Sequence, residues 1–132
     1  MTYFLDANLV IDILNGKKSV LENFKKCYAE NTIKISDIAY YEIMRGFEYT
    51  RKKTSLIKFI AFVDKCRIEY QTKESLGLAA WNYANLRKNG KMIEDDDLLI
   101  GSLAVSKNAV LVTNNAEHLS RIENIRLENW AD

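Results

Sequence analysis

The sequence predicts an α/β protein, a three-layer α/β/α sandwich built on a mostly parallel central sheet. Two observations carry this. Short apolar runs, TYFL at 2–5, TIKIS at 32–36 and AVLVT at 109–113, alternate with longer segments of helical period. Such alternation yields βα units, whose crossover helices cover a parallel sheet on both faces. With 132 residues and no proline, linker, repeat or low-complexity stretch, the pattern reads as one domain over 1–132.

Each element has its own signal. The run TYFL is a buried strand ended by Asp6, and ANLVIDILNG is a helix stopped by Asn15-Gly16. Ser19 is placed to cap a helix through VLENFKKCYAE. TIKIS is the second strand, and Ser36 or Asp37 caps the helix DIAYYEIMRGFEY. Thr54 or Ser55 opens an apolar helix, LIKFIAFVDKC, followed by a third strand, RIEYQ. Residues 73–89 carry Leu76, Ala79, Ala80, Tyr83 and Leu86 on one helical side. A further helix covers 95–107, AVLVT is a continuous β-rich strand, and NIRLEN is the last strand.

Composition narrows the function. Hydrophobic residues at 48% and charged residues at 28% are ordinary for a soluble globular protein. No apolar run reaches the roughly 18–20 residues of a membrane span. The start, MTYFLDANL, lacks a basic n-region and carries Asp6 inside its apolar stretch, so no secretion signal is expected and the protein reads as cytoplasmic. Cys27 and Cys66 have no metal-type spacing and read as core thiols. Charge is uneven. Residues 17–67 hold 12 Lys/Arg against 6 Asp/Glu, a balance of +6, while 68–132 hold 7 against 10, a balance of −3. That asymmetry suits an anionic ligand on one surface and a cation elsewhere, and equally suits solvated Lys-rich helices.

In parallel α/β sheets ligands bind at the carboxyl ends of strands, and that rule selects the candidates. Asp6 ends the first strand; read alone it is a helix cap. Glu42 is the single charge between Asp37 and Arg45, so it either faces a site, pairs with Arg45 or lies on the outer face. In the acidic run Glu94-Asp95-Asp96-Asp97, helical spacing places Asp97 on one stripe with Ile100, Gly101 and Ala104. Asp95 and Asp96 read as charges at the helix start, where the dipole favours them. Thr113, Asn114 and Asn115 follow the AVLVT strand, as caps of a short helix or as ligands at a strand end. Converging carboxylates repel one another when ionised, and a hard cation, Mg²⁺ or Mn²⁺, resolves the repulsion with oxygen ligands. A lone histidine, His118, argues against zinc.

The blocks YFLDANLVID, ISDIAYYEIMRG and IEDDDLLIGSLAVSKNAVLVTNNAEHLSRIENIRLENW resemble the PIN-domain family, and within it the VapC-type toxins of type II toxin–antitoxin pairs. The likeness spans nearly the whole chain. It implies an α/β/α sandwich and a Mg²⁺- or Mn²⁺-dependent endoribonuclease leaving a 3′-hydroxyl and a 5′-phosphate. It also implies a cognate antitoxin and commonly a homodimer. The family's first aspartate falls on Asp6, its helix glutamate on Glu42 and the aspartate of its D-x-x-I-A/G block on Asp97. Asn115 stands where the wider family has a fourth acid. Where many such toxins carry a glutamate three residues on, this chain has His118, one place after Glu117. Glu117 or Asp95 then supplies charge, or the site works with three acids. Arg45, Arg51, Lys52 and Lys53 are the candidates for the RNA backbone. Two rivals are a receiver-like signalling domain and a PIN fold kept only for binding. The first expects an acid pair after the first strand and a Lys after a late one, which this chain lacks; the second conflicts with the intact Asp6, Glu42 and Asp97.

Overall fold

The computed structural model describes residues 1–131. Five strands form one sheet: β1 (Thr2–Leu5), β2 (Thr32–Ser36), β3 (Ile68–Glu69), β4 (Val110–Val112) and β5 (Arg126–Glu128). Their order is β3-β2-β1-β4-β5 and every pairing is parallel. Chain order runs outward from β1 in both directions, so the crevice between β1 and β4 is the topological switch point, where such sheets bind ligands. The register sets Tyr3 beside Val110 and Leu5 beside Val112, which brings the next residues, Asp6 and Thr113, to the same level at the carboxyl edge.

The helices are α1 (Ala7–Leu14), α2 (Lys18–Glu30), α3 (Asp37–Thr50), α4 (Lys53–Cys66), α5 (Lys73–Lys88), α6 (Asp95–Ser106) and the short α7 (Ala116–Leu119). The joints after β1 and β2 carry side-chain caps. The Asp6 carboxylate accepts from Ala7 N, and the Ser36 hydroxyl accepts from Ala39 N. The α1 helix ends at Asn15, with Gly16 at φ +73°, a conformation glycine adopts without strain. Thr72 and Ser75 form a reciprocal capping box on α5.

Three sequence expectations shift. Ser19 does not cap α2, which starts at Lys18; its hydroxyl instead donates to Ala131 O at 2.9 Å and ties down the C-terminal segment. The α4 helix begins at Lys53, ahead of Thr54 and Ser55, directly after an αL residue at Arg51 turns the chain out of α3. The third strand keeps only Ile68–Glu69 of RIEYQ, because Gln71 leaves the sheet: its N–H goes to Asp37 Oδ2 and its side-chain amide to Leu99 O.

Phe4, Leu5, Ile35, Leu111 and Val112 form the core of the sheet, with Leu9, Val10, Ile43 and Phe59 packed from helices. The α6 helix is buried nearly all round, and its one buried side-chain polar group, Ser102, accepts from Asn82 of α5 at 3.0 Å. Both cysteines are free; burial pushes the Cys27 thiol up to about 11 and the Cys66 thiol up to about 12, so both stay protonated. Among the described residues, no helix is long and apolar enough to cross a membrane.

Gly101 fixes how closely α6 approaches the segment after β4. A Cβ there would run into Ile122 Cδ1 and lie 3.3 Å from both Ile125 Cδ1 and Leu119 Cδ2. Gly101→Val should therefore destabilise the protein by about 1–3 kcal/mol, read as a lower urea midpoint at unchanged slope. An unchanged midpoint would show that this contact yields freely.

Candidate active site

Four acids from three elements meet at the switch-point crevice. Asp6 leaves β1, Glu42 lies in the second turn of α3, and Asp96 and Asp97 open α6. All four are half-buried. The neutral residues around them form a continuous hydrogen-bond chain. The backbone N–H of Asn115 donates to Thr113 Oγ1 at 2.9 Å, and the Thr113 hydroxyl donates to Asp6 Oδ2 at 2.8 Å. The Asn115 side-chain amide donates to Asp97 Oδ2 at 3.0 Å. Asp6 Oδ1 is held by Ala7 N at 2.8 Å. Asp6 and Asp97 are thus fixed from the end of β4, each with one oxygen on an uncharged donor from that strand end.

The electrostatics report crowding. The Glu42 carboxyl is pushed up from its ordinary value to about 8, first by burial, then by its hydrogen bond and charge contact with Asp96 and by the charge of Asp6. Arg45 offsets this only in part. Asp97 is pushed up to about 6, again first by burial, then by Asp96 and Asp6, with His118 opposing and Glu94 adding. Burial and the Asp96 and Asp6 charges thus disfavour the ionised form of Glu42.

The structure brings Asp6, Glu42, Asp97, Thr113 and Asn115 together as the sequence candidates required, and it adds Asp96. Asp96 does serve the helix start, accepting from Asp97 N at 2.9 Å, but its carboxylate also faces Glu42. The overlooked signal is its own stripe: Leu99, Ile100 and Leu103 follow at i+3, i+4 and i+7, as apolar as the stripe of Asp97. Glu42 makes no ion pair with Arg45, whose guanidinium instead lies 5.2 Å from the Tyr41 ring centre. Asn115 precedes α7 but makes no side-chain cap bond; its amide nitrogen donates to Asp97. Asp95 is exposed beside the site, and Glu117 is exposed on α7 and is not among the charges that shift Asp97. Arg45 is exposed one turn from Glu42, whereas Arg51, Lys52 and Lys53 sit past the far end of α3, roughly 14 Å further along its axis.

A divalent cation fits this set on its chemistry. The donors are oxygens throughout, which excludes a zinc-type thiolate and imidazole cage. Among the described residues no three His, Cys, Asp or Glu side chains form a ready-made ligand cluster. Carboxylates without a counter-charge stand apart, and Mg²⁺ itself needs only one or two of them, completing its shell with water.

A wholly parallel α/β fold with acids grouped at its switch point defines a class of protein built to hold a cation against an anionic ligand. Comparison sharpens the class. The PIN domain family model matches residues 3–125, so the chain belongs to the PIN domain family. Ribonuclease VapC2 of Rickettsia felis is 33% identical, with 98% of each chain covered. Ribonuclease VapC1 of Haemophilus influenzae is 29% identical over the same shares. In solved structures, VapBC2 of Rickettsia felis bound to a promoter DNA fragment contains a chain of TM-score 0.91 and 32% identity, covering 98% of this chain and 99% of that one. VapBC-1 of nontypeable Haemophilus influenzae gives a TM-score of 0.89 at 25% identity with complete coverage of both.

The Glu42 shift has a testable sign. An acid whose pKa is raised on folding loses stability as pH climbs from its unfolded value, near 4.5, through its folded value, about 8. In EDTA, Glu42→Gln should melt higher than the parent by a few degrees at about pH 9, and the gap should close toward about pH 5. Added Mg²⁺ should raise the parent more than the variant at the higher pH. A gap independent of pH would place Glu42 away from Asp6 and Asp96.

Proposed function

We propose that this chain is a divalent-cation-dependent endoribonuclease acting as the toxin of a toxin–antitoxin pair. The observation that carries the reading is the anchoring of Asp6 and Asp97, from separate elements, by Thr113 and Asn115. That arrangement keeps two carboxylates aimed at one crevice without neutralising either. The names of the relatives support RNA as substrate, as does tRNA(fMet)-specific endonuclease VapC of Salmonella typhimurium, 27% identical over 98% of both chains.

Divalent-cation dependence is general among PIN-domain ribonucleases of this kind, and the hard oxygen donors here favour Mg²⁺ or Mn²⁺. Asp6 and Asp97 would hold the cation, with Glu42 directly or through water. When bound, the ion supplies charge neutralisation at the scissile phosphate and lowers the pKa of a water. The remaining work falls to the chain. Thr113 holds Asp6 Oδ2 and Asn115 holds Asp97 Oδ2, so that little reorganisation is needed as substrate arrives. A positive charge in the crevice would offset the Asp96 and Asp6 charges that disfavour the ionised form of Glu42. Arg45 sits nearest the site of the backbone-contact candidates; Arg51, Lys52 and Lys53 extend the basic surface away from it.

A cognate antitoxin has a surface to occupy. Ile13, Leu14, Leu21, Phe24 and Phe62 line a groove of about 590 Å³ between α1, α2 and α4, rimmed by Lys25, Lys58 and Lys65. An apolar segment carrying acids fits it. Exposed Leu76 and Trp81 on α5 suit a second copy of the chain. One domain over 1–132 and a cytoplasmic setting complete the reading.

The test is RNA cleavage in Mg²⁺ or Mn²⁺, with and without EDTA. Asp6→Ala and Asp97→Asn should each cost about 10²-fold or more in kcat, with folding intact by circular dichroism. Metal-dependent cleavage that survives both substitutions would sink this assignment of the site.

A further inference from the structure

Beside the acids lies a second cavity of about 530 Å³, lined by Tyr83, Met92, Ile93, Glu94, Asp95 and His118. Its walls come from separate elements. Tyr83 stands on α5, Met92 to Glu94 belong to the connection into α6, and His118 lies on α7. Two of these walls are tied together, since Arg121, just beyond α7, donates to Met92 O at 3.0 Å; within α5, Arg87 donates to the Tyr83 hydroxyl at 3.1 Å and steadies the ring. The cavity adjoins the acid centre, since Glu94 and His118 are both among the charges felt by Asp97.

The chemistry of the lining selects its occupant. The Tyr83 ring, the Met92 thioether and the His118 imidazole offer flat or polarizable apolar surface that remains partly exposed. Such surface stacks unstacked RNA bases. Glu94 and Asp95 are acceptors only; they repel phosphate and would meet the carbonyl edge of uracil unfavourably. They accept well from an exocyclic amino group, as acids do from cytosine N4. A volume of this size lies within the roughly 300–1,000 Å³ of small-ligand pockets.

We propose that this cavity is a nucleobase subsite, taking an unstacked base with an exocyclic amino group (adenine, cytosine or guanine, and not uracil) from the nucleotide beside the scissile phosphate. The proposal rests on the ribonuclease reading and adds the residues that discriminate among bases. Tyr83 supplies the stacking face, Glu94 and Asp95 read the amino edge, and His118 closes the side toward Asp97.

The test titrates the four nucleoside 5′-monophosphates, with Mg²⁺, into the ¹⁵N-labelled full chain. AMP, CMP and GMP should move the amides of Met92 to Asp95 and of His118, and should bind about tenfold more tightly than UMP. Tyr83→Ala should lose about tenfold in affinity, and Tyr83→Phe should keep it. Glu94→Gln should narrow the margin over UMP. Equal binding of all four, shifts confined to Asp6 and Asp97, or an unaffected Tyr83→Ala would each overturn the subsite. RNA cleavage by the parent chain is scored separately. Base-selective shifts without metal-dependent cleavage would remove the ribonuclease reading and keep the subsite; cleavage without base-selective shifts would do the reverse.

Discussion

The hydrogen-bond chain from Asn115 N–H through Thr113 to Asp6, with the Asn115 amide on Asp97, is the constraint on which the site depends. It exists because β1 and β4 are parallel neighbours in a register that ends both strands at one level. Thr113 is fully buried there, so its hydroxyl must find partners, and the two it finds are Asp6 and the Asn115 backbone. The requirement to satisfy one buried hydroxyl thus couples the end of β4 to the carboxylate that ends its neighbour β1.

Around that chain the fold accumulates negative charge against its own stability. Three acids open α6, where the helix dipole favours them, but two of these also face Glu42 or Asp6 across a half-buried gap. The result is an upward pKa shift at Glu42 and another at Asp97. Neither serves packing. Both are relieved by a positive charge in the crevice, so affinity for a cation and folding stability are linked through the same groups.

Much of this was legible in the sequence, and the reasons differ by residue. Periodicity located every strand and major helix, because a parallel sheet imposes apolar runs and its crossovers impose helical stripes. Position at the ends of apolar strands marked Asp6 and Thr113 as candidates, although Asp6 read alone is a helix cap and Thr113 could equally cap a short helix. Asp97 was legible from its stripe. The contact of Asp96 with Glu42 was not, because it depends on the angle at which α6 meets α3, and no single-element pattern encodes that. Helix starts were misplaced for a related reason. Ser19 has the chemistry of a cap, but the C-terminal backbone claims its hydroxyl. The strand RIEYQ ends early because Asp37 captures the Gln71 N–H, a contact between residues 34 positions apart.

Asn115 shows what a neutral residue does in an acid centre. Asp97 already ionises only near about 6, under the pressure of burial, Asp96 and Asp6. A carboxylate in place of Asn115 would stand against Asp97 Oδ2 at hydrogen-bond distance and raise that pressure further, leaving Asp97 protonated unless a cation were always bound. The amide instead donates to one Asp97 oxygen and makes no bond to the other. The charge that a fourth acid would bring is present in Asp96, the residue before Asp97, which is close enough to act on both Glu42 and Asp97. The centre therefore keeps four acids while the β4 end contributes only orientation, and that division spares Asp97 a further like charge at the position Asn115 occupies.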